Sequence, residues 1–251
     1  MKKIIAAILV LVFALTMSGC VYWDGLSKSE AREFVEKTLE EKYGEEFVVK
    51  QMYLKAGSWD TASDLMADCS PKSDENIVFS TQTLAIGKER VMRDTYIQSI
   101  VRQEIRNNVE PVLEKYYDRY AFEVQVKGLY DEYESGIRSA KEATIKNYSE
   151  ALPNTNRTHI WIVLNEDEIY SQDNLSKIAE ELTKNFSLTY AFIDFYYATE
   201  EVINKCSAEI NSSSNRLGGY VIVSGKFPYD SFIYDGNDID NKLVQVEFAN
   251  K

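Results

Sequence analysis

The chain has 251 residues, 45% of them hydrophobic, with 17 Tyr, 11 Phe and 3 Trp. Such a composition can bury a sizeable core and excludes a disordered stalk. The formal charge of −12 argues against nucleic acid, which requires a basic footprint.

The first twenty residues carry the strongest signal. Lys2 and Lys3 precede an apolar run over 4–15, followed by Thr16, Met17, Ser18, Gly19 and Cys20. The charged start and short apolar run match a secretory signal. About a dozen apolar residues fall short of the roughly 20 that a helix needs to cross a ~30 Å hydrocarbon core. The small pair Ser18 and Gly19 directly before Cys20 resembles the lipobox of bacterial lipoproteins, with Met17 where that family usually has Leu. The resemblance covers residues 1–20; no family is recognised in the rest of the chain. It implies that a diacylglycerol joins the Cys20 thiol, that signal peptidase II cuts before Cys20, and that residues 1–19 are removed as a signal peptide. Small side chains at the two preceding positions let the backbone enter a narrow peptidase site. Two acyl chains make a stable anchor, at roughly 0.8 kcal/mol per buried CH₂. The expected location is the extracytoplasmic face of the cell membrane. Loss of Lys2 and Lys3 takes the charge from −12 to −14, which anionic lipid repels, so the acyl group must supply the attachment.

After the anchor, residues 20–26 are expected to be the lipidated cysteine and a tether reaching at most about 20 Å. Ser27 and Glu30 have capping-box spacing. Ala31, Phe34, Val35, Leu39 and Tyr43 then predict an amphipathic helix that stops at Gly44. Strands are predicted over 46–55, 61–69 and 77–86, with a turn at Gly57 and Ser58. The longest helical pattern starts at Asp94 and runs through Tyr120, with a kink near Asn108 or a break forced by Pro111. Residues 121–127 alternate as a strand. The first α+β domain or subdomain is therefore expected over 27–127, with a boundary at 128–133.

The second, over 134–251, begins with a predicted helix at 134–149, followed by a polar loop over 153–157. A strand over 158–164, an acidic turn (Glu166, Asp167, Glu168), a helix over 171–186 and a strand over 188–198 have the length of a strand–helix–strand crossover. A short helix opening at Thr199, a Ser-rich loop over 211–215, and closing strands over 219–223 and 243–248 with a turn-rich stretch between them complete the pattern. The expected fold class is α+β, two small sheets with helices packed on one face each.

Candidate chemistry is sparse, and no catalytic residue is assigned. His159 is the only histidine and lies inside an apolar strand. This rules out multi-His zinc sites and H-E-x-x-H. No G-x-S-x-G, S-x-x-K, C-x-x-C, P-loop or G-x-G-x-x-G motif occurs. The oxygen-rich turn Asp235, Asn237, Asp238 and Asp240 puts Ile239 where an EF-hand loop needs a ligand, so no metal and no cofactor is assigned. The row Tyr190, Phe192, Tyr196 and Tyr197 has the chemistry to stack on a sugar or peptide, although strand aromatics are more often core. Outside the cytoplasm Cys69 and Cys206 could form a disulfide; the alternative is two buried thiols. The expected function is a non-enzymatic binding module that meets an envelope protein or peptide and not nucleic acid. A solute-binding lipoprotein of a transporter or an envelope hydrolase are the alternatives.

Overall fold

The computed structural model describes residues 22–56, 63–127, 136–151, 157–167, 172–184, 190–212, 229–235 and 243–246. The leader with Met17, Ser18, Gly19 and Cys20 lies outside them. So do the turn at 57–58, the boundary segment 128–133, the loop over 153–156, the strand at 219–223, and Asn237, Asp238, Ile239 and Asp240.

The chain forms two compact units. One runs to Glu75 and adds Ser80–Arg93; the other takes Asn76–Phe79 and everything from Asp94 on. The division thus falls at Arg93/Asp94 rather than at 128–133. The long helix and the strand after it belong to the second unit, because that strand pairs with residues 157–164.

In the first unit α1 (Lys28–Tyr43) begins and ends as the sequence predicts. The Ser27 hydroxyl accepts from the Glu30 N–H, the Glu30 carboxylate accepts from the Ser27 N–H, and Gly44 closes the helix in a left-handed conformation at φ 72°. Ala31, Val35 and Leu39 are buried, and α1 packs on β1. A four-stranded sheet follows in the order β1 (Phe47–Lys55), β2 (Asp64–Pro71), β3 (Phe79–Ile86), β4 (Glu89–Asp94). Strand β4 was not foreseen. Gly87, at φ 64°, opens a two-residue connection after β3, and such a tight link makes the strands antiparallel. The charges of Glu89, Arg90 and Arg93 conceal the strand pattern.

Residues 22–26 are not a slack tether. They form a tight turn in which Tyr22 N and Trp23 N donate to Leu26 O, and Leu26 N donates back to Trp23 O. Trp23 is buried and its indole N–H donates to Ser63 O at 2.7 Å. The Arg90 guanidinium bonds the Asp24 carboxylate at 2.6 Å and the Asp24 carbonyl at 2.8 Å, and lies 5.6 Å from the Trp23 and Phe34 ring centres. This clasp buries an aromatic ring and satisfies its one donor, which is why the segment folds back instead of trailing.

The second unit is built on a mixed five-stranded sheet in the order β5 (Tyr120–Lys127), β6 (Arg157–Asn165), β7 (Tyr190–Ala198), β8 (Tyr229–Asp235), β9 (Leu243–Val246). Among the described strands only β6 and β7 run parallel, joined through α4 (Gln172–Thr183), as the strand–helix–strand pattern predicts. Strand β8 falls in the stretch expected to be turn-rich, and Asp235 ends it, paired with Tyr190. Its aromatic residues sit among Asp230, Ser231 and Asp235, which masked them.

Helix α2 (Tyr96–Tyr116) is one element, although Pro111 lies inside it. Ile97, Val101, Ile105, Val109 and Leu113 form an unbroken buried stripe, and packing along it holds the helix across the missing hydrogen bond. Thr95 occupies the N-cap, but the side chain that receives the Tyr96 N–H is Asp94, at 3.0 Å. At the far end Glu181 of α4 receives Lys115 Nζ at 2.8 Å and 2.9 Å on its two oxygens, and the Tyr116 hydroxyl at 2.5 Å.

The helix expected over 134–149 is later and shorter. Gly136 is left-handed at φ 68°, a 3₁₀ turn covers Ala140–Glu142, and α3 spans Ile145–Ala151, with the Glu104 carboxylate receiving Ile145 N. Helix α5 (Glu200–Ser212) opens after Thr199, whose carbonyl accepts from Val202 and Ile203. The α+β class with two small sheets is the architecture that forms. In the second sheet, helices occupy both faces: Arg106 of α2 lies over the Phe122 ring, while α5 packs on the opposite face with Ala121 and Trp161.

Gly44→Ala tests the first unit. A side chain at positive φ costs about 1 kcal/mol, although nothing lies within 4 Å of the added atom. Urea unfolding followed in the far ultraviolet is expected to show that loss; no loss would mean that α1 does not end in a left-handed residue.

A histidine–carboxylate patch on the second sheet

Strand alternation puts His159, Trp161 and Val163 on one face of β6. In the antiparallel pairing with β5, Gln125 faces His159 and Glu123 faces Trp161. In the parallel pairing with β7, Phe192 faces His159 and Asp194 faces Trp161. Two rows of three therefore lie side by side, Glu123–Trp161–Asp194 and Gln125–His159–Phe192. His159 Nε2 bonds Asp194 Oδ2 across the diagonal at 2.5 Å. The imidazole stacks on Trp161, with ring centres 4.1 Å apart and planes 27° apart, and meets Phe192 at 5.4 Å. Among the described residues, Asp194 is the only hydrogen-bond partner of His159.

Helix α5 covers one end of this face. Ile203 and Cys206 pack with Ala121, Trp161, Val163 and Ala198, and Tyr196 leans against the group. His159 stands two residues outside it, with 21% of its side chain exposed against 10% for Asp194. The patch therefore has a closed apolar end and a half-open polar end. Trp161 stacking and the Asp194 carboxylate hold the imidazole in one orientation, so one edge of it can meet a ligand without first being ordered.

Glu123 is almost wholly buried at 2% exposure. Burial pushes its carboxyl above the usual range, while Arg102 and Arg106 of α2 and the Val124 N–H pull it down. Burial likewise pulls Arg102 down, against the attraction of Glu123. Arg106 reaches the Phe122 carbonyl at 3.4 Å and lies 4.5 Å from the Phe122 ring centre. A buried charge cluster thus flanks the patch at the β5 edge.

The other candidates fall elsewhere. Alternation splits the aromatic row: Phe192 and Tyr196 share the His159 face, Tyr197 points to the other, and Tyr190 begins β7 with its side chain outside the described set. Glu166 and Asp167 are exposed in the turn after β6, and Glu168 is outside the described residues. Cys69 in β2 and Cys206 in α5 are buried thiols, each within the core of its own unit. Among the described residues no group of three His, Cys, Asp or Glu is placed to hold a metal ion, and no helix is long and apolar enough to cross a membrane. Sequence reasoning missed Asp194 as the partner of His159. Aligning the two strands of the crossover would have exposed it.

No protein-family model matches the chain, and no curated protein matches it. Among solved structures, a DUF5037 family protein from Ruminococcus gnavus ATCC 29149 is similar, with a TM-score of 0.62 over 85% of this chain and 94% of that one. The identity is 16%, so the likeness is one of fold alone.

The raised Glu123 carboxyl has a defined sign. A carboxyl whose folded pKa lies above its unfolded value stabilises the fold below the unfolded pKa, and that stability is lost as pH rises through the folded one. Glu123→Gln removes this dependence. Its melting temperature is expected to gain on the unsubstituted chain as pH rises from about 4 to about 7. A decline over that range would mean that Arg102 and Arg106 outweigh burial.

Proposed function

We propose that the chain is a bacterial lipoprotein held at the extracytoplasmic face by a lipid on Cys20. In this reading it is a non-enzymatic module that binds an envelope protein or peptide through the half-open end of the His159 patch. The observation that carries the binding surface is the His159–Asp194 pair stacked on Trp161. It joins a flat aromatic and imidazole platform to an acceptor that orients it, at a place where the sheet face is only half covered. Aromatic groups supported from beneath make good anchors for a partner, because their ordering entropy is already spent. Lipidation rests on the register of charged leader, apolar run, Ser18–Gly19 and Cys20.

Two measurements test the two halves of the reading. Cross-linking on intact cells followed by pull-down is expected to recover a partner, with recovery reduced about tenfold or more by Phe192→Ala and by His159→Ala, the loss of one hot-spot contact. Equal recovery by both variants, or nothing above background at several salt concentrations, would remove the patch from the proposal. Globomycin is expected to accumulate uncleaved precursor; normal processing of a Cys20→Ala variant to full-length mature protein would overturn lipidation.

A further inference from the structure

We propose that one end of the first sheet is a membrane-contact edge: the Trp23 clasp sets it against the bilayer, and Tyr53, Leu54 and Ile86 enter the interface. The inference rests on the lipid-anchored reading and adds an orientation to it. Only Val21 separates Cys20 from the folded turn that begins at Tyr22. Two residue steps span about 7 Å. An anchored chain therefore has no room to stand off from the lipid, and whatever surrounds the clasp meets the headgroups.

The surroundings are suited to that contact. Trp23 is tied to Ser63, which immediately precedes β2, and β1 ends at Lys55 opposite Asp64. Gln82 of β3 donates to Asp64 at 2.7 Å, so β3 runs out to Ile86 at this same end. Three of the large apolar side chains that stand exposed lie here: Tyr53 at 43%, Leu54 at 40% and Ile86 at 58%. Lys55, Lys88 and Glu89 are exposed beside them, and the Asp24 charge is matched by Arg90. Apolar tips with neighbouring lysines suit a bilayer surface, where the tips enter the acyl boundary and the amines meet lipid phosphates.

Glu30 and Glu89 stand exposed near the clasp, but the larger acidic group of this unit lies at the other end. Glu40, Glu41, Glu45, Glu46, Asp74 and Glu75 cluster where α1 ends and β1 begins. Eight strand steps separate the two ends, about 26 Å at 3.3 Å per residue. That is roughly three Debye lengths at physiological salt, so those carboxylates are screened from an anionic surface on which the clasp end rests. Near the clasp, Glu30 and Glu89 are offset by Lys28, Lys55 and Lys88, so repulsion by anionic lipid is weakest at this end.

The test uses the full-length acylated chain in vesicles of phosphatidylcholine and phosphatidylglycerol. An environment-sensitive nitrobenzoxadiazole label on Ile86→Cys is expected to brighten several-fold and to be quenched by lipids brominated in their acyl chains. The same label on Ser73→Cys, at the acidic end, is expected to do neither. Adding Leu54→Asp to the Ile86→Cys chain should weaken the bilayer signal without changing the melting temperature, because residue 54 is exposed. A solvent-like label at 86 on a chain whose Cys20 carries acyl mass would overturn the edge and leave the anchored reading standing. A chain that reaches the membrane fraction with Cys20 unacylated would overturn both.

Discussion

The parallel pairing of β6 with β7 is the constraint on which the second unit depends. Among the described residues it is the only parallel contact in a sheet that otherwise turns back on itself, and α4 has to carry the chain across to make it. Because side chains alternate with a period of two, a slip of one residue would send Asp194 to the opposite face from His159. A slip of two would keep the face but part the carboxylate from the imidazole. The observed register does neither, and it also sets Trp161 between two acidic positions, Glu123 and Asp194. The crossover thus decides both the packing of the central strands and the place where the single imidazole meets a carboxylate.

Around that register the sheet is asymmetric. One face receives the long stripe of α2, which is apolar over its whole length. The other receives α5, which is shorter and packs with Trp161 and Val163. Beside that packing His159 keeps 21% of its side chain exposed, which leaves a half-buried patch with ordered polar groups. At the β5 edge the Arg102, Arg106 and Glu123 cluster keeps charge in a place that hydrophobic residues could fill. Burying charged groups costs desolvation, which attraction between them only partly offsets.

How much of this was legible in the sequence depended on whether a signal was local. The capping box of Ser27 and Glu30, the stop at Gly44, and the stripe from Ile97 to Leu113 are written in residues three or four apart, and each element formed where they placed it. Pro111 misled because the cost of one lost hydrogen bond is local, whereas the packing that outweighs it is not. Strands β4 and β8 were hidden because charged and polar residues flank short apolar runs, Val91–Met92 and Phe232–Tyr234, and break the alternation that marks a strand. The unit boundary was misplaced because β5 finds its partner 30 residues downstream and not among the strands before it. The His159–Asp194 pair is non-local twice over, depending on a crossover and then on its register. The fold of residues 22–26 depends on Ser63 and Arg90, both far along the chain.

Pro111 has one more consequence. Its ring nitrogen carries no hydrogen, so the α2 ladder is interrupted just before its last turn. What holds that turn comes from two sides: Leu113 stays buried at the end of the stripe, and Glu181 of α4 takes both the Lys115 ammonium and the Tyr116 hydroxyl. The end of α2 is therefore coupled to α4 as well as to the rest of its own helix. Loosening α4 removes one of those two supports and leaves the last turn the first part of α2 to open.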